Sequence, residues 1–186
     1  FMWKHAIITG GSSGIGKEIA KLLAGEGSNI SIIARNSRNL EAARVEITAN
    51  VVNPKQKIIT YSINVSNRLE VENGIRQVIK EVGVPDLLIT AAGISYPGYF
   101  RKLPIEIFEE TMAVNYFGSL YCVRTVLPIM EQEKKKLIKA VFGIHNAKKR
   151  NTIPTLHQLI FGHGEAPELC QHASQEHACF HSFFEP

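Results

Sequence analysis

Apolar positions along the chain alternate between two rhythms. Short runs rich in β-branched residues are followed each time by segments in which apolar residues recur every three or four positions. The first run, His5-Ala6-Ile7-Ile8-Thr9, predicts a strand. Ile15, Ile19, Leu22 and Leu23 then share one helical face, from about Gly14 to Gly25 or Gly27. A second strand is expected over 29–34. Ser37 is placed to cap a helix carrying Leu40, Ala43, Val45 and Ile47, which Pro54 forbids from continuing. A third strand follows at about 57–63. Asn67 and Glu70 have capping-box spacing ahead of Leu69, Ile75, Val78, Ile79 and Val82, a helix ending near Gly83. A fourth strand is predicted over 86–90. From Pro104 a short helix leads into one long apolar helix, Val114 to Met130, with Pro128 near its end, and a fifth strand of poor period fits within 137–142. Strands alternating with helices in this order indicate an α/β chain with a parallel sheet and crossover helices.

Between the first strand and first helix lies Thr9-Gly10-Gly11-Ser12-Ser13-Gly14-Ile15-Gly16. A strand, a glycine turn and a helix N-terminus in this order leave backbone N–H groups uncovered and keep side chains away, which suits a pyrophosphate. Cofactor choice depends on charge at the end of the second strand. An acid there would accept from a ribose 2′-hydroxyl, and a cation would receive a 2′-phosphate. Ala34 is followed by Arg35 and Asn36, with Arg38 close by and no acid before Glu41, so NADPH is expected over NADH.

The spacing Gly10-x-x-x-Gly14-x-Gly16 resembles that of the short-chain dehydrogenase/reductase family, and other segments match in order. Asn64-Val65-Ser66 is similar to the family's Asp-Val motif, Thr90-Ala91-Ala92-Gly93 to its Asn-Asn-Ala-Gly turn, and Val114-Asn115-Tyr116-Phe117-Gly118 to the segment whose Asn supports the catalytic proton relay. The resemblance covers about residues 4–136. It implies a three-layer, doubly wound parallel sheet of the Rossmann type, truncated after the fourth or fifth strand. The cofactor residues it implies are Thr9, Gly10, Ser12, Ser13, Gly14, Ile15, Gly16, Arg35, Asn36, Asn64, Val65, Ala91, Ala92, Gly93 and Val114, with Asn115 left from the catalytic set. The run Thr9 to Lys17, Ala34-Arg35-Asn36 and the run Asn115 to Tyr121 most resemble the 3-ketodihydrosphingosine reductases within the family. That implies a small-molecule carbonyl substrate, lipid-like and long-chain, and an apolar wall for it in the Tyr96, Tyr99 and Phe100 segment; a packed loop over the sheet edge is the competing expectation. A homo-oligomer is implied as well, since the family usually assembles through the long helix and its successor.

The same family uses a Tyr-x-x-x-Lys pair and a Ser beside the nicotinamide. Tyr61, Tyr96, Tyr99, Tyr116 and Tyr121 are followed four positions later by Val65, Phe100, Leu103, Leu120 and Thr125, so the pair is absent, and Val141 to Ala147 contains no Ser. Proton delivery would fall to water or to His145 or His157. Two expectations remain open: a reductase, or a cofactor-binding module that does not turn over.

Composition changes past position 136. Six of the seven histidines and two of the three cysteines lie there, without sustained period. A dinucleotide-binding domain over 1–136 and an atypical tail over 137–186 are therefore expected, the tail arising from a different reading frame or an alternative end. Cys170-x-His172 and His177-x-Cys179-x-His181 lack the spacing of common zinc modules, and no metal site is expected. With 45% apolar and 20% charged residues and no stretch near the roughly 20 apolar residues that span a bilayer, neither a membrane segment nor a secretory signal is expected. The odd cysteine count points to a reducing compartment, the cytoplasm. The net charge of +4 is dispersed apart from Lys134-Lys135-Lys136 and Lys148-Lys149-Arg150, and no aromatics interleave with the first of these runs, so no nucleic-acid partner is expected.

Overall fold

The computed structural model describes residues 3–133 and, beyond them, two strands at 137–140 and 160–161. Strands β1 (His5–Thr9), β2 (Asn29–Ala34), β3 (Ile58–Ser62), β4 (Leu87–Thr90), β5 (Leu137–Ala140) and β6 (Ile160–Phe161) form one sheet in the order β3-β2-β1-β4-β5-β6. The first five are parallel, and β6 runs antiparallel to β5. The expected fifth strand is present. The sixth was not anticipated, because two residues carry no period. The other sequence-derived features of the tail, including its histidines and cysteines, lie outside the described residues.

Helices α1 (Gly14–Gly25), α2 (Ser37–Thr48), α3 (Arg68–Val82), α4 (Ile105–Met112) and α5 (Gly118–Gln132) complete the layers. Each residue of β1 is buried, as expected for a parallel strand covered on both sides. Its side chains alternate: Ala6 and Ile8 join Ala20, Leu23, Leu40 and Ile47 in one core, while Ile7 joins Val71, Ile75, Val78, Val126 and Met130 in the other. Burial on both faces fixes the register and sets the C-terminal ends of the strands, where β1 and β4 finish together (Thr9 opposite Thr90), as the site-bearing edge.

Several expectations are corrected. Leu22, Val45 and Leu69 are 52%, 60% and 61% exposed, and the buried stripe of α1 is Gly16, Ala20, Leu23 and Ala24. Small residues hold that position because α1 lies close on the sheet. On α3 Val71 takes the buried place assigned to Leu69. Asn36, not Ser37, caps α2: its side-chain oxygen accepts from the Asn39 N–H at 3.0 Å. The capping box at α3 is only half formed, since Asn67 Oδ1 accepts from the N–H groups of Leu69 and Glu70, while the Glu70 carboxylate turns to Asn67 Nδ2 and the Asn64 N–H.

The long helix from Val114 is also not continuous. A π-helical turn, Ala113–Phe117, separates α4 from α5, and the Gly118 N–H bonds to the Ala113 carbonyl five residues back. Gly118 permits this packing: a Cβ there would lie 2.9 Å from a Val65 methyl and 3.2 Å from the Val65 carbonyl.

Cys122 on α5 is 1% exposed, and burial pushes its thiol up to about 12. The thiolate is the reactive form, so in native protein at pH 8 Cys122 should resist alkylation that labels it readily in denaturant. Peptide mapping of the labelled site checks this. The linkage has a definite sign. The unfolded thiol ionises near 9 while the folded one stays protonated, so its contribution to stability is complete below about pH 9 and declines as pH rises towards 12.

Candidate cofactor site

The turn after β1 is built by backbone. Gly10 has φ +70°, and its N–H donates to the Ile33 carbonyl at 2.8 Å, tying the turn to β2. On the other side the Ala91 N–H donates to the Thr9 carbonyl at 3.1 Å, and the Ala92 N–H donates to Thr9 Oγ1 at 3.2 Å. Thr9 thus locks the β4 exit against the turn. It is buried, so the structure gives it a supporting position behind the cleft. The fit is close: a Cβ on Gly10 would stand 2.5 Å from the Ala91 carbonyl oxygen, and one on Gly16 would stand 2.5 Å from the Gly10 oxygen.

Gly14 differs. Its φ is +53°, and the space where a Cβ would stand is open to 4 Å. Ser13, extended at φ −161°, precedes α1 without capping it by its side chain, and no acid lies in the first helical turn. The first backbone bond of the helix runs from the Lys17 N–H to the Ser13 carbonyl. The N-terminus of α1 therefore presents N–H groups and the positive end of a twelve-residue helix at the glycine turn, where Ser12, Ser13, Gly14 and Ile15 are partly or fully exposed. These residues fit the phosphates of a dinucleotide.

Arg35 and Arg38 are exposed at the end of β2. The nearest acid in sequence, Glu41, is engaged by Arg44 (Nε to Oε2, 2.9 Å), which holds its carboxyl below the usual range. The backbone of Arg35 is positioned by Ser62, whose hydroxyl donates to the Arg35 carbonyl at 3.0 Å. Asn36 is exposed, with its side-chain oxygen occupied as the helix cap. At the end of β3, Asn64 Oδ1 accepts from the Ser66 N–H and hydroxyl. Ala91, Ala92 and Gly93 are half-buried beside the turn. Val65 and Val114 lie with their side chains in the core at 4% exposure, so sequence spacing placed them beside the cleft more openly than the structure does.

Asn115 sits in the π turn at 8% exposure. Its Oδ1 accepts from the Ile94 N–H at 2.8 Å and its Nδ2 donates to the Ile94 carbonyl at 2.9 Å, so one amide closes both polar groups of the first residue past Gly93. Ser119, which sequence reasoning did not single out, donates its hydroxyl to the Asn115 carbonyl at 3.1 Å. Its spacing of four from Asn115 was the available signal. Asn115→Ala leaves the Ile94 peptide unpaired in a half-buried place, and the expected cost is about 2 kcal/mol in chemical denaturation, with a looser β4 exit. Asn115→Asp restores only the acceptor, so it should recover part of that loss; full recovery would show that donation to the Ile94 carbonyl contributes nothing.

Among the described residues no group of His, Cys, Asp and Glu could hold a metal ion, and no helix is long and apolar enough to cross a membrane. The paired Cys and His of the tail lie outside that set.

Comparison with known proteins agrees with this geometry. The chain is 40% identical over 131 residues to 3-ketodihydrosphingosine reductase of Bos taurus, covering 70% of this chain and 40% of the relative, and 40% identical over 139 residues to the enzyme of the same name from Dictyostelium discoideum, covering 68% and 42%. It therefore spans about two fifths of the length of these curated relatives. Among solved structures, alcohol dehydrogenase from the archaeon Thermococcus sibiricus, complexed with 5-hydroxy-NADP, superposes with a TM-score of 0.67 at 28% identity, covering 74% of this chain and 57% of that one. The model of the short chain dehydrogenase family matches residues 4–142. With that match lying over the doubly wound sheet and its glycine turn, the chain belongs to the short chain dehydrogenases.

Proposed function

We propose that the chain is the cofactor-binding part of an NADPH-dependent short-chain reductase that acts on a carbonyl, with long-chain 3-keto compounds such as 3-ketodihydrosphingosine as the substrate class. The observation that carries the reading is the open, left-handed Gly14 at the uncapped N-terminus of α1. In this reading Gly10, Ser12, Ser13, Gly14, Ile15 and Gly16 hold the pyrophosphate. Arg35 and the Asn36 backbone take the 2′-phosphate, Asn64 and Val65 flank the adenine, and Ala91, Ala92 and Gly93 line the ribose side. Thr9, Val114 and Asn115 keep those segments in place. The bound cofactor supplies hydride chemistry. Two of the relatives carry the name of a keto-sphingoid reductase, and the Thermococcus enzyme carries an NADP derivative, which supports both halves of the reading. Domain limits of 1–136 and 137–186, a cytoplasmic setting and a homo-oligomer belong to the same proposal.

A second reading rests on the absence of Tyr-x-x-x-Lys from this chain. Without it, a proton donor to a carbonyl is missing, and the chain binds cofactor without turning over. Titration with NADPH by fluorescence, followed by a long-chain ketone with absorbance monitored, separates the two. Binding with loss of absorbance supports the reductase, binding alone supports the second reading, and no binding overturns both.

A further inference from the structure

Helices α3 and α5 cover the sheet face that α1 and α2 do not, and between their outer ridges lies an open groove of about 630 Å³. None of its residues belongs to the glycine turn or to the strand ends around it. The α5 side is apolar. Phe117 is stacked against Tyr121 at 6.0 Å, and Leu120 and Ile129 continue the same wall. Thr125 stands among them with its hydroxyl already donated to the Tyr121 carbonyl at 2.7 Å.

The α3 side carries charge. Arg68, Glu72 and Arg76 recur at every fourth position and so stand one above another along the groove, while Arg124 lines it from α5. Glu72 pairs with Arg68 at 3.5 Å. Among the described residues no carboxylate pairs with Arg76 or Arg124. Three arginines against one glutamate leave the groove electropositive, and a guanidinium only donates, so an occupant must bring anionic acceptors together with apolar groups.

The spread of charge decides what kind of occupant fits. At about 1.5 Å of rise per residue, Arg68 and Arg76 stand roughly 12 Å apart, with Arg124 on the opposite wall. An amphiphile with a single anionic head would meet one end of that row. A helix with acids two turns apart and apolar residues between them meets the whole of it. A second copy of the same face would set arginines against arginines. The homo-oligomer expected of the family also uses the long helix with its successor, whereas this groove lies on the flank of the long helix that α3 occupies.

We propose that the α3–α5 groove docks an acidic amphipathic helix of a partner protein, held by Arg76 and Arg124 and seated on Phe117, Leu120 and Ile129. The proposal does not depend on the cofactor reading, because the two sites share no residue.

The test uses the full chain and a helical peptide of about 16 residues, long enough for the groove, with one leucine stripe flanked by glutamates and a neutral fluorophore. Its controls are a scrambled peptide of the same composition and a version with lysine for each glutamate. The native chain should bind the glutamate peptide at least tenfold more tightly than either control, and less tightly as salt is raised. Arg76→Glu combined with Arg124→Glu alters exposed side chains, so the melting temperature and NADPH affinity should not change. Affinity for the glutamate peptide should fall tenfold or more, and the lysine peptide should bind in its place. If the reversal lowers the melting temperature, Arg76→Gln with Arg124→Gln should give the same loss by a smaller factor. Ile129→Ser keeps the charges and should weaken the glutamate peptide without altering its salt dependence. Equal affinity for the three peptides overturns the proposal, as does equal affinity of the native and charge-altered chains for the glutamate peptide. It is also overturned if charge reversal removes binding to phosphatidylserine vesicles or changes the oligomeric mass while peptide affinity persists, because the groove then serves a bilayer or a second copy.

Discussion

Replacing Gly10 by alanine is expected to destabilise the chain by about 3 kcal/mol or more and to abolish dinucleotide binding. Two effects add. A left-handed residue with a Cβ costs on the order of 1 kcal/mol, and that Cβ would stand 2.5 Å from the Ala91 carbonyl oxygen, which is backbone locked by Thr9 and cannot step aside cheaply. Relief requires the turn and the β4 exit to separate, and that separation displaces the backbone leading into Gly14 and the N-terminus of α1. Urea unfolding with NADPH titration measures both. Gly14→Ala is the control: it meets no neighbour, so it should cost only the conformational strain in stability while still weakening cofactor binding by intruding on the open space. If Gly10→Ala and Gly14→Ala behaved alike, the close approach to Ala91 would have no energetic weight.

Charge reversal at Arg35 is expected to have the next largest effect. Arg35→Asp should weaken NADPH binding by about a hundredfold and NADH binding by only a few fold. A charge-assisted contact to a phosphate is lost and a repulsion replaces it. Arg38, also exposed beside it, retains part of the attraction, and Glu41 does not compete because Arg44 already engages it. The difference between the cofactors should shrink as salt is raised, since the site is open to solvent. Equal losses for NADPH and NADH would remove the 2′-phosphate role from Arg35.

Much of this organisation was legible in the chain because it is carried by local chemistry. β1 is a run of apolar residues that the sheet buries on both faces, and Gly10, Gly14 and Gly16 are punctuation whose need for backbone freedom is independent of what packs around them. Arg35 declares its charge in the same way. Helix faces were less legible. Leu22, Val45 and Leu69 satisfy a helical period, yet burial follows distance to the neighbouring layer, and α1 is close enough to the sheet that Gly16, Ala20 and Ala24 do the covering. Asn36 and Ser37 are both good caps, and only the backbone conformation decides between them. The π turn left no trace in the pattern, because the stretch from Val114 to Met130 is apolar at so many positions that a helical period is satisfied on either side of a one-residue shift. Asn115 was singled out by its motif alone; that its amide also closes the peptide of Ile94 could be read only from the fold, because the two lie 21 residues apart.

The extra residue in that turn also sets a phase relation. Each residue advances a helix by about 100°, so the bulge rotates the side chains of α5 relative to those of α4 by that angle. Deleting Tyr116 would smooth the two into one regular helix and would still misalign them: with Val126 and Met130 kept in the core, Phe108 would swing away from Phe100, whose ring it meets edge to face at 5.3 Å. The single irregular peptide step at Asn115 thus acts as an angular spacer, letting one continuous stretch of chain bury a face of α5 in the core while no residue of α4 is buried.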